Sequence, residues 1–250
     1  MPGTIHTHTD HYIATVTFSH PQSNSFPSEL LQKLVDTFDR LSEDAEVRVI
    51  VLQSEGKKTF CAGASFDELL AIQNIEEGKT FFSGFAHLIN AMRKCSKPII
   101  GRVQGKSVGG GVGIAAACDY CFATEAADIK LSELSIGIGP FVIAPAVERK
   151  MGVSAFSELS LDAKNWKTAY WAQKQGLFNK VYESIRDMDE GIDFLSLQLS
   201  QYNPEALFEM KKIFWKETDH WDKLLIERAA ISGELVLSDF TKKALANFRS

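Results

Sequence analysis

Gly105–Asp119 reads G-K-S-V-G-G-G-V-G-I-A-A-A-C-D, the densest run of glycine and small residues in the chain. It follows an apolar stretch, P-I-I-G-R-V at 98–103, that reads as a buried strand, and Ile114–Ala117 within it reads as a short helix. A glycine-rich passage between strand and helix has three chemical readings. A phosphate-cradling loop needs G-x-x-x-x-G-K-[ST], but Gly101–Ser107 is one residue short of it, so amides and lysine would not register on the same phosphate. A dinucleotide turn is matched in form by Gly111, Gly113 and Ala116, with Asp128 or Glu133 as the distal acid, yet several residues separate the strand from Gly111. In the third reading, successive glycines carry no Cβ to hold a substrate away from the main chain, and the helix start offers free N–H groups and a positive dipole end to a developing oxyanion. A tight strand–helix connection with no ligand at all would use the same residues.

Outward from this passage the chain alternates. Tyr12–Phe18 has strand periodicity, and Leu30, Leu31, Leu34, Val35, Phe38 and Leu41 place one apolar face on a helix over 27–42. A strand at V-R-V-I-V-L (47–52), helices over 66–73 and 76–95, and strands near 120–123 and 128–132 complete an α/β core. From Pro140 onward the pattern is helical, over 140–151, 167–175, 188–200, 204–217, 220–235 and 238–247, with one strand signal at 178–182. A composition shift near 190 predicts a core at 1–190 and a helical region at 191–250. The late helices carry Trp215, Trp221, Leu224, Leu225, Ile226, Leu235 and Phe240, more than a thin appendage buries alone, which predicts a subunit partner.

With 27 Lys+Arg against 32 Asp+Glu, the net charge of −5 leaves no basic field for a run of phosphates, so a general nucleic-acid binder is disfavoured. No apolar run approaches the roughly 18 residues that span a bilayer, and the polar start lacks a secretory h-region. The expectation is a cytoplasmic chain with no membrane partner. Cys118 and Cys121 form a lone C-x-x-C, while Cys61 and Cys95 stand singly, so the four read as buried thiols rather than a zinc or redox centre. His6, His8 and His11 alternate along an exposed strand edge and read as surface residues.

A second donor-rich turn, F-C-A-G-A-S at 60–65, also leads from a strand into a helix through small residues. Two such turns could each supply one N–H to a thioester carbonyl. For the acid/base group Glu133 stands out, between an apolar strand and the stiff turn I-G-I-G-P, where a carboxylate can face a partly dry cleft; a solvated surface glutamate is the alternative.

The segments F-C-A-G-A, G-G-G-V-G-I-A-A-A-C-D and E-L-S-I-G-I-G-P, in this order and at these intervals, resemble the enoyl-CoA hydratase/isomerase (crotonase) superfamily. The likeness extends to R-K-M-G at 149–152, A-Q-K-Q-G-L at 172–177 and A-N-F near the end, and so covers nearly the whole chain. The resemblance implies an α/β fold, a spiral of repeated ββα units with a C-terminal helical trimerisation region, assembled as a homotrimer or a hexamer. It implies an acyl-CoA substrate, with coenzyme A entering as part of the substrate and no metal or redox cofactor. Ala64 and Gly110 match the family's two oxyanion-hole amides and Glu133 one of its catalytic glutamates, and Ala62, Ala64, Ser65, Phe66 and Gly110 are the implied substrate-binding positions. Gly113 stands where the standard hydratase has a second glutamate, and Ser65 where the family usually has aspartate.

Several bacterial methylglutaconyl-CoA hydratases resemble the chain in carrying glycine at the position of Gly113. The implied reaction is therefore hydration of a 2-enoyl-CoA, with methylglutaconyl-CoA as a candidate substrate and Lys130 or Arg149 as candidate partners of its distal carboxylate. The alternatives are an isomerase moving a 3-double bond to the 2-position, an acyl-CoA-binding member without catalysis, and the dinucleotide enzyme.

Overall fold

The computed structural model describes residues 3–247. An antiparallel hairpin, β1 (Thr4–Asp10) and β2 (Ile13–Ser19), opens the chain and is followed by α1 (Ser28–Glu43). Three further units follow. They are β3 (Val49–Ser54) and β4 (Thr59–Cys61) with α2 (Phe66–Ala71) and α3 (Ile75–Lys94); β5 (Ile99–Val103) and β6 (Lys106–Val108) with α4 (Gly110–Ala117); and β7 (Tyr120–Thr124) and β8 (Ile129–Lys130) with a 3-10 turn (Glu133–Ile136) and α5 (Ala144–Leu161). In each of these three, the first strand joins a six-stranded sheet ordered β1-β2-β3-β5-β7-β9, with β9 at Lys180–Tyr182, and the second joins a three-stranded parallel sheet ordered β4-β6-β8. The repeat of ββα units is the crotonase spiral.

The apolar patterns explain the layers. β3 is buried along nearly its whole length, as a central parallel strand covered on both faces must be. On one face lie α1, with Leu30, Leu31, Leu34, Phe38 and Leu41 turned inward, and α3. On the other lies α7 (Ile185–Ser200), whose Met188 and Ile192 pack with Val49, Val51, Ile100 and Phe122. The 190/191 boundary thus falls inside a helix that packs on the large sheet. After it come α8 (Pro204–Phe214), α9 (Trp221–Leu235) and α10 (Asp239–Asn247), while the short α6 (Ala169–Lys174) precedes β9.

The late helices fold back on the core. α9 packs along α3, and α10 reaches the 3-10 turn. Gly78 and Gly233 let the α3 and α9 backbones touch: a Cβ on Gly78 would stand 2.7 Å from the Gly233 carbonyl oxygen. α8 is fastened by a buried ion pair, Lys211 Nζ to Asp119 Oδ2 at 3.0 Å. Trp215 Nε1 and the Ile99 amide also donate to the Asp119 carboxylate, each at 2.7 Å. Trp215, Trp221 and Leu225 are consequently buried within one chain, whereas Phe240 is exposed.

Three local expectations are corrected. Lys106–Val108 is a strand, although its neighbours read as a glycine loop, because it pairs between β4 and β8. The following helix begins at Gly110 instead of Ile114. Glycine's poor helix propensity is overridden there by packing, since Gly111 and Gly113 lie so close to Cys61 and Ile143 that no Cβ fits. The helix expected to stop at 151 does so, since Gly152 is non-helical with a φ of 76°, but a second helical stretch, not expected, runs from there to Leu161. The A-N-F likeness ends on Phe248, outside the described residues.

Candidate active site

The C-terminal ends of the three short strands converge. β4 runs into Ala62–Ser65, where Gly63 takes a left-handed φ of 90°. Phe26 N–H donates to the Gly63 carbonyl at 2.8 Å, and Ser65 N–H donates to the Phe26 carbonyl at 2.9 Å. Successive amides of an extended segment point to opposite sides, so the Ala64 N–H between them faces away from Phe26. On that side lies the glycine triplet: a Cβ on Gly63 would stand 3.0 Å from the Val108 carbonyl oxygen and 3.6 Å from the Gly110 nitrogen. β6 turns at Gly109, φ 53°, and Gly110 is the first residue of α4, so its N–H has no intrahelical acceptor. Ala64 and Gly110 border one cavity of about 140 Å³, and Glu133 borders it too.

Glu133 follows β8 and opens the 3-10 turn, which Gly137 closes in the left-handed conformation by donating to the Glu133 and Leu134 carbonyls. Its carboxylate packs against the bare face of Gly109, where a Cβ would come within 2.7 Å of Oε1. Oε2 is buried and has no hydrogen-bond partner. The cavity it borders is largely apolar, lined by Leu69, Phe82, Phe85, Ile136, Ile138 and Phe141 among others. This desolvation pushes the Glu133 carboxyl up from its ordinary 4.5 to about 7, against a smaller opposing pull from its own backbone amide. A group poised there can both take and return a proton near neutral pH.

Of the residues expected at the site, Ala62, Ala64, Phe66, Gly110 and Glu133 line the cavity. Ser65 does not. Its side chain caps α2, accepting from the Glu68 amide at 3.3 Å, and borders a separate surface cleft with His20 and Asp67. Lys130 and Arg149 are also elsewhere. Lys130 Nζ donates to the Lys164 carbonyl and lies over the Trp166 ring, and the Arg149 guanidinium lies 4.2 Å from the centre of the Trp215 ring. No lysine or arginine lines the cavity among the described residues.

The position of the missing second carboxylate is filled: a Cβ on Gly113 would collide with the Ile143 side chain, and Ile143 itself lines the cavity. Ile143 and Ser232 are not legible in the sequence, because neither carries a local motif and Ser232 reaches the site from the distant α9. All four cysteines are free and buried, Cys61 with its thiol pushed up to about 12 by burial. His6 and His8 lie on β1, and His11 pairs with Asp10 at 2.8 Å. No cluster of three or more potential metal ligands occurs among the described residues.

A six-stranded and a three-stranded sheet wound from ββα units, with a buried carboxylate and two helix- or turn-borne amides bordering one apolar cavity, define the class: an α/β protein of the crotonase fold. The chain belongs to the enoyl-CoA hydratase/isomerase family, whose model it matches over residues 8–244. It is 32% identical over 241 residues to a protein of Bacillus subtilis (strain 168) described as a probable enoyl-CoA hydratase, covering 96% of this chain and 93% of that one. It is 35% identical over 167 residues to the mitochondrial methylglutaconyl-CoA hydratase of Rattus norvegicus, covering 66% of this chain and 52% of that protein. The crystal structure of enoyl-CoA hydratase from Bacillus halodurans shares the fold with a TM-score of 0.90, at 20% identity, over 97% of this chain and 99% of that one. No helix among the described residues is long and apolar enough to cross a membrane.

Proposed function

We propose that this protein hydrates a short 2-enoyl-CoA thioester through two main-chain donors and one carboxylate. The observation that carries the reading is the Glu133 carboxyl, desolvated and with Oε2 unpaired, on the same small cavity as the Ala64 and Gly110 amides. The thioester oxygen accepts from those two amides, which places the enolate charge at the start of α4. Glu133 takes a proton from water as its oxygen bonds to the β-carbon, and returns a proton to the α-carbon. Each oxyanion donor is worth roughly 2.7–4 kcal/mol and a positioned acid/base about 10²–10⁴ in rate, which is adequate for the reaction. The residues call for no metal or redox cofactor in these steps.

A cavity of about 140 Å³ suits a short acyl group, and its lining offers the hydroxyls of Ser132 and Ser232 but no cation. An uncharged chain is therefore favoured over methylglutaconyl-CoA, whose distal carboxylate would lack a cationic partner there. A second reading, isomerisation of a 3-enoyl to a 2-enoyl thioester, is favoured by Ile143, which occupies the room a second water-holding carboxylate would need. For assembly, we read residues 191–250 as an oligomerisation region of a trimer or hexamer, supported by exposed Phe194, Ile213, Phe214 and Phe240. The chemistry is tested by following the conjugated-enoyl absorbance with crotonyl-CoA, methylglutaconyl-CoA and a 3-enoyl-CoA. A fall with crotonyl-CoA supports hydration, a rise with the 3-enoyl-CoA supports isomerisation, and no change with any substrate refutes both.

A further inference from the structure

We propose that the Ser232 hydroxyl, delivered by α9, is the second hydrogen-bond partner of the attacking water, replacing the carboxylate that Gly113 cannot carry. The inference rests on the hydratase reading above. A water held by one carboxylate alone can swing about that single bond, so productive attack needs a second polar contact. Among the side chains lining the cavity only Ser132, Glu133 and Ser232 carry polar atoms. Ser132 precedes Glu133 on the same wall and is only half-buried, so solvent can satisfy it.

Ser232 differs on both counts. It comes from α9, far along the chain from Glu133, and is 1% exposed. In α7, Ser196 Oγ bonds the Asp193 carbonyl and Ser200 Oγ the Leu197 carbonyl, one turn back, whereas Ser160 Oγ in α5 is buried without a partner. Ser232 Oγ makes no hydrogen bond within the chain among the described residues, and its residue lines the cavity, where the hydroxyl is open to a bound molecule. The neighbouring Gly233 explains how it gets there: backbone contact with Gly78 draws α9 against α3 and sets residue 232 at the cavity. In the reaction Ser232 keeps its own proton. It only orients the water while Glu133 takes one water proton, the oxygen bonds to the β-carbon, the π pair moves into the thioester enolate, and Glu133 protonates the α-carbon.

Ser232→Ala preserves helix propensity and removes only the hydroxyl. Two readouts separate its role from packing: hydration of crotonyl-CoA, and exchange of the α-protons of butyryl-CoA in heavy water, which uses Glu133 and the amides but no attacking water. The expected result is a kcat for hydration lower by about tenfold or more, the rate equivalent of one hydrogen bond, with KM and α-proton exchange near those of the parent. Unchanged hydration in the variant overturns the proposal, and so does an equal loss of both activities, which would mark a structural role. A parent protein that exchanges α-protons yet hydrates nothing overturns the hydratase reading together with this inference.

Discussion

Glu133→Gln replaces a buried carboxyl by a neutral group of nearly the same shape, and it separates what the carboxylate does for chemistry from what it costs the fold. Burial raises this carboxyl from 4.5 to about 7. At about 1.4 kcal/mol per pKa unit, keeping it ionised in the folded chain costs about 3 kcal/mol. Below pH 4.5 the group is protonated in both folded and unfolded chains, and it imposes no ionisation cost. Between 4.5 and about 7 the unfolded chain releases its proton first, so the folded state binds more protons and stability falls as pH rises; above about 7 the loss is complete. Glutamine has no such loss. Urea unfolding of parent and variant at equal protomer concentration, near pH 4.5 and again near pH 8, gives a difference in which all other titrating groups cancel. The variant should match the parent at the lower pH and exceed it by about 3 kcal/mol at the higher, while its turnover falls by roughly 10²–10⁴. An offset that does not change between the two pH values would refute the desolvation argument.

On the proposed mechanism Glu133 must be ionised when it takes the water proton, so kcat/KM should rise with pH, reach half its plateau near 7 and level above it; a flat profile from pH 5 to 8 would contradict this. Gly113→Ala forces a methyl onto Ile143 and should lower stability by about 1–3 kcal/mol, an effect largely relieved when Ile143→Ala is added, as a denaturant double-mutant cycle would show. Lys211→Met leaves the buried Asp119 carboxylate without its cation and should cost about 3–5 kcal/mol in the same assay, loosening α8 first in hydrogen exchange.

The sequence made the alternation of strands and helices legible because the apolar positions of α1, α3 and β3 keep their periods. It also made the two amide-bearing turns and Glu133 legible, since each sits in a short local pattern. What escaped it was set by packing between distant segments. β6 is three residues long and exists because β4 and β8 flank it. Gly110, Gly111 and Gly113 stand in a helix because only hydrogen fits beneath the Phe85, Cys61 and Ile143 side chains. Ser65 reads like its neighbours in a binding turn, but its oxygen is committed to the α2 cap. Lys130 and Arg149 lie close in sequence to site residues, yet both are drawn to tryptophan faces.

One physical property, dryness, links the parts of the site. On the proposed reading, the largely apolar lining shared by Glu133, Ala64 and Gly110 both desolvates the carboxyl and gives a hydrogen bond to an enolate oxygen a low-dielectric setting in which it is stronger. The same lining works against hydration, because the attacking water must leave bulk solvent for a cavity in which Ile143 stands where a second carboxylate would have held it. Isomerisation needs no water at all, only a carboxylate that carries one proton between two carbons. On the reading proposed here, the ratio of hydration to isomerisation is therefore a measure of how well the pocket retains one water, and changes at Ile143 and Ser232 should move that ratio while changes at Glu133 suppress both reactions together.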